Sequence, residues 1–215
     1  MTKKAFVIGA GEGFSDILLP KKEDLVIAVD GGMQWCEEKA VLPALAVGDF
    51  DSLSFVPSHI PVLQLPVEKD DTDMRVAVRH ALEQRCKVIH VFGGTGGRAD
   101  HTFANYQVLL QIAKAGAMGF LWGNTHLATV FGKGKLLFPK KEKGDLSLFS
   151  FGADARGVSV KGAKYTAEGI TLTADYPLGV SNSFIGEAVE ITVEEGFLLV
   201  FWGRDGDTLP IFATI

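Results

Sequence analysis

Five short apolar runs, each continuous rather than alternating, constrain this chain most. They are residues 5–9 (AFVIG), 25–30 (LVIAVD), 44–48 (ALAVG), 62–65 (VLQL) and 88–93 (VIHVFG). Alternation of apolar and polar residues marks a strand with one wet face. An unbroken run marks a strand covered on both faces. Helical patterns lie between the runs. Residues 72–85 carry Met74, Val78, Ala81 and Leu82 at helical spacing, with Thr72 placed to cap the start. Residues 101–115 carry Phe103, Val108, Leu109, Ile112 and Ala113 in the same way. Strand-helix alternation of this kind predicts a parallel sheet with helices on both faces.

After residue 123 the pattern changes. Short strand candidates follow at 126–131, 135–138, 146–151, 158–160, 170–174, 188–193 and 197–202, punctuated by glycines from Gly132 to Gly196. Seven short strands with a turn signal about every ten residues predict a β-sandwich. The expected architecture is therefore an α/β parallel-sheet domain over 1–125 and an all-β domain over 126–215. A chain of 215 residues is long enough for either one large or two small domains.

Composition excludes several classes. Lys and Arg number 21 against 26 Asp and Glu, a net charge of -5, which argues against sequence-independent nucleic-acid binding. Cys36 and Cys86 are the only cysteines and form no CxxC pair, so neither a thiolate zinc site nor a disulfide framework is expected. Lys3 and Lys4 before AFVIGAG mimic a short signal peptide, but the run stops at Glu12 and reads as a first strand. No apolar stretch approaches the roughly 20 residues of a membrane span. A cytoplasmic protein is expected.

The aspartates fall where chemistry would need them. Seven of the fourteen lie between residues 30 and 100. Asp30 ends the second run. Asp49 and Asp51 follow the third, in Gly48-Asp49-Phe50-Asp51-Ser52. Asp70, Asp71 and Asp73 follow the fourth, and Asp100 follows the fifth. In an open parallel sheet the carboxyl ends of the strands share one edge, where ligands bind. Carboxylates gathered there repel one another unless a cation sits among them. A hard divalent ion with oxygen ligands, such as Mg²⁺ sharing its shell with substrate phosphates, is the natural guest.

The segment Gly93-Gly94-Thr95-Gly96-Gly97-Arg98-Ala99-Asp100-His101 follows a strand and opens a helix. Backbone N–H groups in that setting cradle phosphate, and Arg98 adds a planar donor fork. It is not a Walker A loop, because no Gly-Lys-Ser/Thr follows. Gly9-Ala10-Gly11-Glu12-Gly13, after the first strand, fits a nucleotide contact and a tight turn equally well. No G-x-S-x-G elbow and no HExxH pattern exists, and His90 reads as a core residue. The residues point to metal-assisted phosphoryl transfer without a covalent intermediate.

Taken together, Asp30-Gly31-Gly32, Gly48-Asp49-Phe50-Asp51-Ser52, Lys69-Asp70-Asp71-Thr72-Asp73 and the Gly93–His101 segment resemble, in order and spacing, the signature motifs of bacterial thiamine pyrophosphokinases. Ser181-Asn182 resembles that family's C-terminal motif. The resemblance implies a Rossmann-like nucleotide-binding domain followed by a β-sandwich, paired as a homodimer with active sites shared at the interface. It implies that ATP and thiamine give AMP and thiamine diphosphate with Mg²⁺. By similarity Asp49, Asp51 and Asp100 hold the metal and pyrophosphoryl site, with Asp70 and Asp73 beside them. Asp30, Gly31, Gly94, Gly96 and Gly97 contact ATP, and Lys69 and Arg98 balance its phosphate charge. Ser181 and Asn182 bind the aminopyrimidine of thiamine. The cationic thiazolium suits an aromatic face, for which Trp202, or Phe201 one register away, is the candidate.

Three other readings stay open on the residues alone. One is a Mg²⁺-dependent pyrophosphokinase acting on another hydroxymethyl heterocycle such as a pterin. The second is a nucleotidyltransferase releasing pyrophosphate, and the third is a non-enzymatic nucleotide-sensing module.

Overall fold

The computed structural model describes residues 2–15, 18–50, 60–66, 70–205 and 208–215. The chain divides into two compact units, Met1–Asn124 and Thr125–Ile215. The fold is mixed α/β: the first unit holds a parallel sheet and helices, and the second holds antiparallel strands throughout.

In the first unit the order is β1 (Lys4–Ile8), β2 (Leu25–Val29), α1 (Gly32–Glu38), β3 (Leu45–Gly48), β4 (Val62–Gln64), α2 (Asp73–Glu83), β5 (Val88–Phe92), α3 (Ala99–Lys114) and β6 (Met118–Trp122). The strands lie in the order β6-β5-β1-β2-β3-β4, and each pairing is parallel. β1, β2 and β5 are buried at all but their first residue, as strands covered on both faces must be. The order reverses at β1, which has β2 on one side and β5 on the other. A crevice opens at such a reversal, at the carboxyl ends of the strands.

Two elements of this unit escaped the sequence pattern. α1 is seven residues long, with no side-chain cap and no acidic residue in its first turn, so it lacks the usual start signals. Its Met33, Trp35 and Cys36 are nevertheless buried. β6 carries Gly119, which weakens a strand pattern. The glycine is required because a Cβ there would lie 2.8 Å from Ile112 Cδ1 and 2.9 Å from Leu109 Cδ2 of α3. Thr72 caps α2 as expected, its hydroxyl oxygen accepting from Arg75 N at 3.2 Å.

His90, in β5, lies beneath this sheet among Phe6, Phe92, Phe120 and Trp122. It is 1% exposed, and Trp122 Nε1 donates to its Nδ1 at 3.3 Å. Burial, with a smaller contribution from Lys4, pushes its pKa down to about 4.

The second unit contains β7 (His126–Phe131), β8 (Gly134–Lys141), β9 (Asp145–Ser150), β10 (Ala155–Lys161), β11 (Ala167–Leu172), β12 (Asn182–Ser183), β13 (Glu187–Val193), β14 (Leu198–Gly203) and β15 (Ile211–Ala213). One sheet runs β12-β9-β14-β7 and the other β11-β10-β13-β8-β15. Here burial alternates along β8, β9 and β13, the signature of strands with one covered face. The covered faces meet at Phe138 of β8 and Trp202 of β14, whose rings pack edge to face at 5.3 Å. β12 and β15, two and three residues long, are too short to read from sequence. No described helix is long and apolar enough to cross a membrane.

Candidate active site

Two glycine-rich loops leave the carboxyl ends of β1 and β5 and zip together. Gly9 N donates to Phe92 O at 2.8 Å and Gly11 N to Gly93 O at 2.9 Å. Glu12 N likewise donates to Thr95 O at 2.8 Å, and in the other direction Gly93 N donates to Glu12 O at 2.9 Å. Such close approach leaves no room for side chains. A Cβ on Gly11 would overlap Thr95 O, and one on Gly93, at φ 64°, would overlap the Gly9 main chain. Asn124, just past β6, accepts from Gly13 N at 3.0 Å and donates to Glu12 Oε2 at 2.7 Å. Asn105 of α3 donates to Gly94 O at 2.7 Å.

The loops form one wall of a cavity of about 700 Å³. Asp30, Asp49 and Asp73 line it, together with Arg98, Gly94 and Gly96. Asp30 follows β2 in a left-handed conformation, φ 45°, with its N–H donating to Val47 O at 3.0 Å. Asp49 follows β3, and the next residue, Phe50, is also left-handed at φ 59° and buried at 4%. Asp73 is the first residue of α2, where the helix dipole favours a carboxylate. The carboxylates on this rim are hard oxygen donors. Among the described residues no three such side chains converge on a point as a metal cluster does. Asp51 and Lys69 lie outside the described residues.

Other residues expected from sequence sit differently. Asp70 is exposed and does not line the cavity, whereas its neighbour Asp71 does. Asp71 is committed to Arg75 at 2.8 Å and Arg79 at 3.4 Å, so its charge is already balanced. Asp100, in the first turn of α3, is also absent from the wall. Arg98 grips it with two hydrogen bonds of 2.6 and 3.1 Å, both side chains being exposed. Those bonds hold the Asp100 carboxyl below the usual carboxylate range. Gly31 caps α1, where a Cβ would come 2.9 Å from Ala10 Cβ, so it packs helix against loop rather than lining the cavity. Gly97, at φ 81°, is likewise not part of the lining. His101, for which the sequence suggests no ligand role, does line it.

The second unit has its own cavity, of about 560 Å³, with apolar walls from Val158, Val160, Ile170 and Leu178. Ser181 and Asn182 stand at its edge. Ser181 is exposed and left-handed, φ 62°, its N–H donating to Ser147 Oγ at 3.2 Å. Asn182 is buried and its carboxamide makes three hydrogen bonds. It donates to Tyr165 O at 2.7 Å and accepts from Tyr165 N at 2.9 Å and Ser183 N at 2.8 Å. Asn182 therefore acts as a short strand partner for Tyr165.

The aromatic assignment needs correction. Trp202 is 1% exposed and lies between the two sheets against Phe138, so its ring offers no face to a ligand. Phe201 packs edge to face on Phe149 at 5.9 Å. The aromatic at the cavity edge is Tyr165, 59% exposed, with Lys164 Nζ 5.3 Å from its ring centroid. Its only sequence signal was an aromatic residue in the loop between Gly162 and Gly169, beside no recognised motif.

Comparison with known proteins agrees with this arrangement of two units. The model of the thiamin pyrophosphokinase catalytic domain matches residues 18–120, and that of the thiamin pyrophosphokinase vitamin B1 binding domain matches residues 135–198. The thiamine pyrophosphokinase of Bacillus subtilis is 30% identical over 188 residues, covering 84% of this chain and 88% of that protein. The crystal structure of a thiamine pyrophosphokinase from Bacillus subtilis superposes with a TM-score of 0.82 at 28% identity, over 95% of this chain and 100% of that one. A thiamin pyrophosphokinase family protein from Enterococcus faecalis gives 0.78 at 26% identity, over 95% and 100%. The Candida albicans thiamin pyrophosphokinase, at 16% identity, shares the fold with a TM-score of 0.78, over 95% and 90%.

Proposed function

The chain belongs to the thiamin pyrophosphokinase family, and from that premise we propose how its residues divide the reaction. The reaction transfers the pyrophosphoryl group of ATP to the hydroxyl of thiamine, giving AMP and thiamine diphosphate. One observation carries the division of labour. A glycine-walled cavity with carboxylates on its rim lies in the unit matched by the catalytic model, and an apolar cavity lies in the unit matched by the B1-binding model.

The first unit, residues 1–125, acts as the nucleotide-binding domain in the Rossmann-like sense. The triphosphate lies where strand order reverses, against the zipped loops and the start of α3. Gly94 and Gly96 approach it with main chain, near Asp30, while Gly97 and Gly31 hold the turns next to them. The rim donors are carboxylate oxygens, which suit Mg²⁺. Asp49 and Asp51 would hold it, joined by Asp100 once Arg98 releases it; Asp73 lines the rim beside them and Asp70 adds charge from outside the wall. An ion held there would supply positive charge to the phosphate oxygens. Lys69 and Arg98 add positive charge, and Arg98 reaches the phosphates by loosening its grip on Asp100. One of the rim carboxylates takes the proton of the attacking hydroxyl. The rest of the barrier is lowered by holding thiamine and phosphorus in line.

The second unit, residues 126–215, holds thiamine. The apolar walls take its rings, Ser181 offers a hydroxyl to the aminopyrimidine, and Tyr165 faces the thiazolium. An exposed aromatic face suits a cation. Asn182 contributes by fixing Tyr165. The protein works in the cytoplasm as a homodimer whose sites are shared between subunits, and its size in solution tests the pairing.

Incubation with ATP, Mg²⁺ and thiamine, followed by product identification, tests the reaction. AMP and thiamine diphosphate are expected. ADP with thiamine monophosphate would overturn the reading.

A further inference from the structure

Three consecutive carbonyls of the loop after β5 are each engaged by a donor. Gly93 O accepts from Gly11 N at 2.9 Å and Thr95 O from Glu12 N at 2.8 Å. Between them, Gly94 O accepts from Asn105 Nδ2 at 2.7 Å. The outer donors are main-chain groups that no substitution at those positions other than proline removes. The middle donor is a side chain, supplied from α3, and it is 8% exposed.

Gly94 and Asn105 both line the first unit's cavity. The contact is close-fitting. A Cβ on Gly94 would come 2.7 Å from Leu121 Cδ1 and 3.1 Å from Asn105 Nδ2. The loop therefore rests directly on the carboxamide, with β6 behind it. A peptide unit is a dipole, so anchoring its oxygen also fixes the direction of its N–H. A carbonyl oxygen swung into a phosphate site repels the anion, while an N–H attracts it.

We propose that Asn105 is a positioning residue for the nucleotide: by holding the Gly94 carbonyl it keeps that oxygen out of the space the phosphates occupy. This rests on the nucleotide reading of the first unit's cavity. Asn105 touches the loop and not the reacting atoms. Its loss should weaken Mg-ATP and leave thiamine unaffected.

The test compares wild type, Asn105→Asp and Asn105→Ala by steady-state kinetics in both substrates between pH 5.5 and 8.5. At the alkaline end both variants should raise the KM for Mg-ATP by about tenfold or more, with the KM for thiamine within about twofold of wild type. The carboxyl of Asn105→Asp can donate to Gly94 O only when protonated, and burial opposite a carbonyl raises its pKa. Its deficit relative to wild type at the same pH should therefore shrink severalfold on acidification. Asn105→Ala carries no titratable group, so its deficit should not change with pH. Equal losses for both substrates, or an Asn105→Asp deficit as flat as that of Asn105→Ala, would reduce Asn105 to ordinary packing and overturn the proposal. If Asn105→Ala does not fold, the Asn105→Asp profile against wild type decides. A wild type that makes no AMP withdraws the nucleotide reading and this proposal with it. An active wild type with a flat Asn105→Asp profile withdraws the proposal alone.

Discussion

The carboxylate of Asp30 occupies the place where a side chain on Gly48 would begin. A Cβ built on Gly48 overlaps Asp30 Oδ1 and comes within 3.4 Å of Asp30 N. The two residues end adjacent parallel strands, β2 and β3, and Asp30 N is tied to Val47 O at 3.0 Å. The glycine is thus a property of the aspartate's position, and neither can be changed without the other registering it.

Gly48→Ala should displace the Asp30 carboxylate, cost about 1–3 kcal/mol of stability and lower the affinity for Mg-ATP. In an Asp30→Ala background the part of that cost that comes from the overlap should vanish, while the strain of a side chain at φ 156° should remain. Urea unfolding of the four proteins in the cycle measures the coupling. Additive losses would mean that the crowding at Gly48 comes from the main chain instead.

Asp49→Asn should retain the fold and lose about a hundredfold or more in kcat, the order seen when one electrostatic contact to a transition state is removed. The change is nearly isosteric at the cavity rim. Turnover close to wild type at saturating Mg²⁺ would move the metal away from this rim.

Tyr165 and Trp202 should separate cleanly. Tyr165→Ala, at an exposed ring, should leave stability within about 0.5 kcal/mol. It should raise the KM for thiamine by roughly tenfold while the KM for Mg-ATP stays put. Trp202→Ala, in the core between the sheets, should cost about 3–5 kcal/mol and affect both substrates through unfolding. An unchanged thiamine KM in Tyr165→Ala would remove the ring from the thiamine site.

His90 makes the first unit sensitive to acid. In the unfolded chain its imidazole takes up a proton near pH 6.5, while in the fold it does so only near pH 4. Between those values the unfolded state binds the extra proton, so stability should fall as pH falls from 6.5 to 4, by about 3 kcal/mol in all. Above pH 6.5 this residue adds no slope. His90→Asn, whose amide oxygen can accept from Trp122 Nε1, should flatten the urea midpoint between pH 6.5 and 5. An identical slope in the variant would assign the acid sensitivity to another group.

Sequence alone carried the frame of the first unit because its strands are unbroken apolar runs and its loops are glycines and aspartates. The second unit was legible as strands and turns, but its alternating pattern cannot say which face of β14 meets the other sheet. That is why Trp202 reads from sequence as a ligand-facing ring although the structure buries it: a ring's letter code does not say which way it faces. Asp70 and Asp71 differ for a similar reason. Adjacent residues at a helix start point in different directions, and only the partners Arg75 and Arg79 show which one turns inward. Asn105 and Asn124 were invisible because they act through one or two hydrogen bonds to residues distant in the sequence.

The zip between the loops after β1 and β5 has a consequence for biosynthesis. The first loop leaves the ribosome before the second, yet every main-chain partner it needs across the zip belongs to residues 92–95. Until β5 has been made and inserted beside β1, the early glycines have no partner to shape them, and they are the part of the nascent chain with the most freedom to lose. Affinity for the nucleotide should therefore appear abruptly during synthesis, once β5 docks, rather than grow strand by strand.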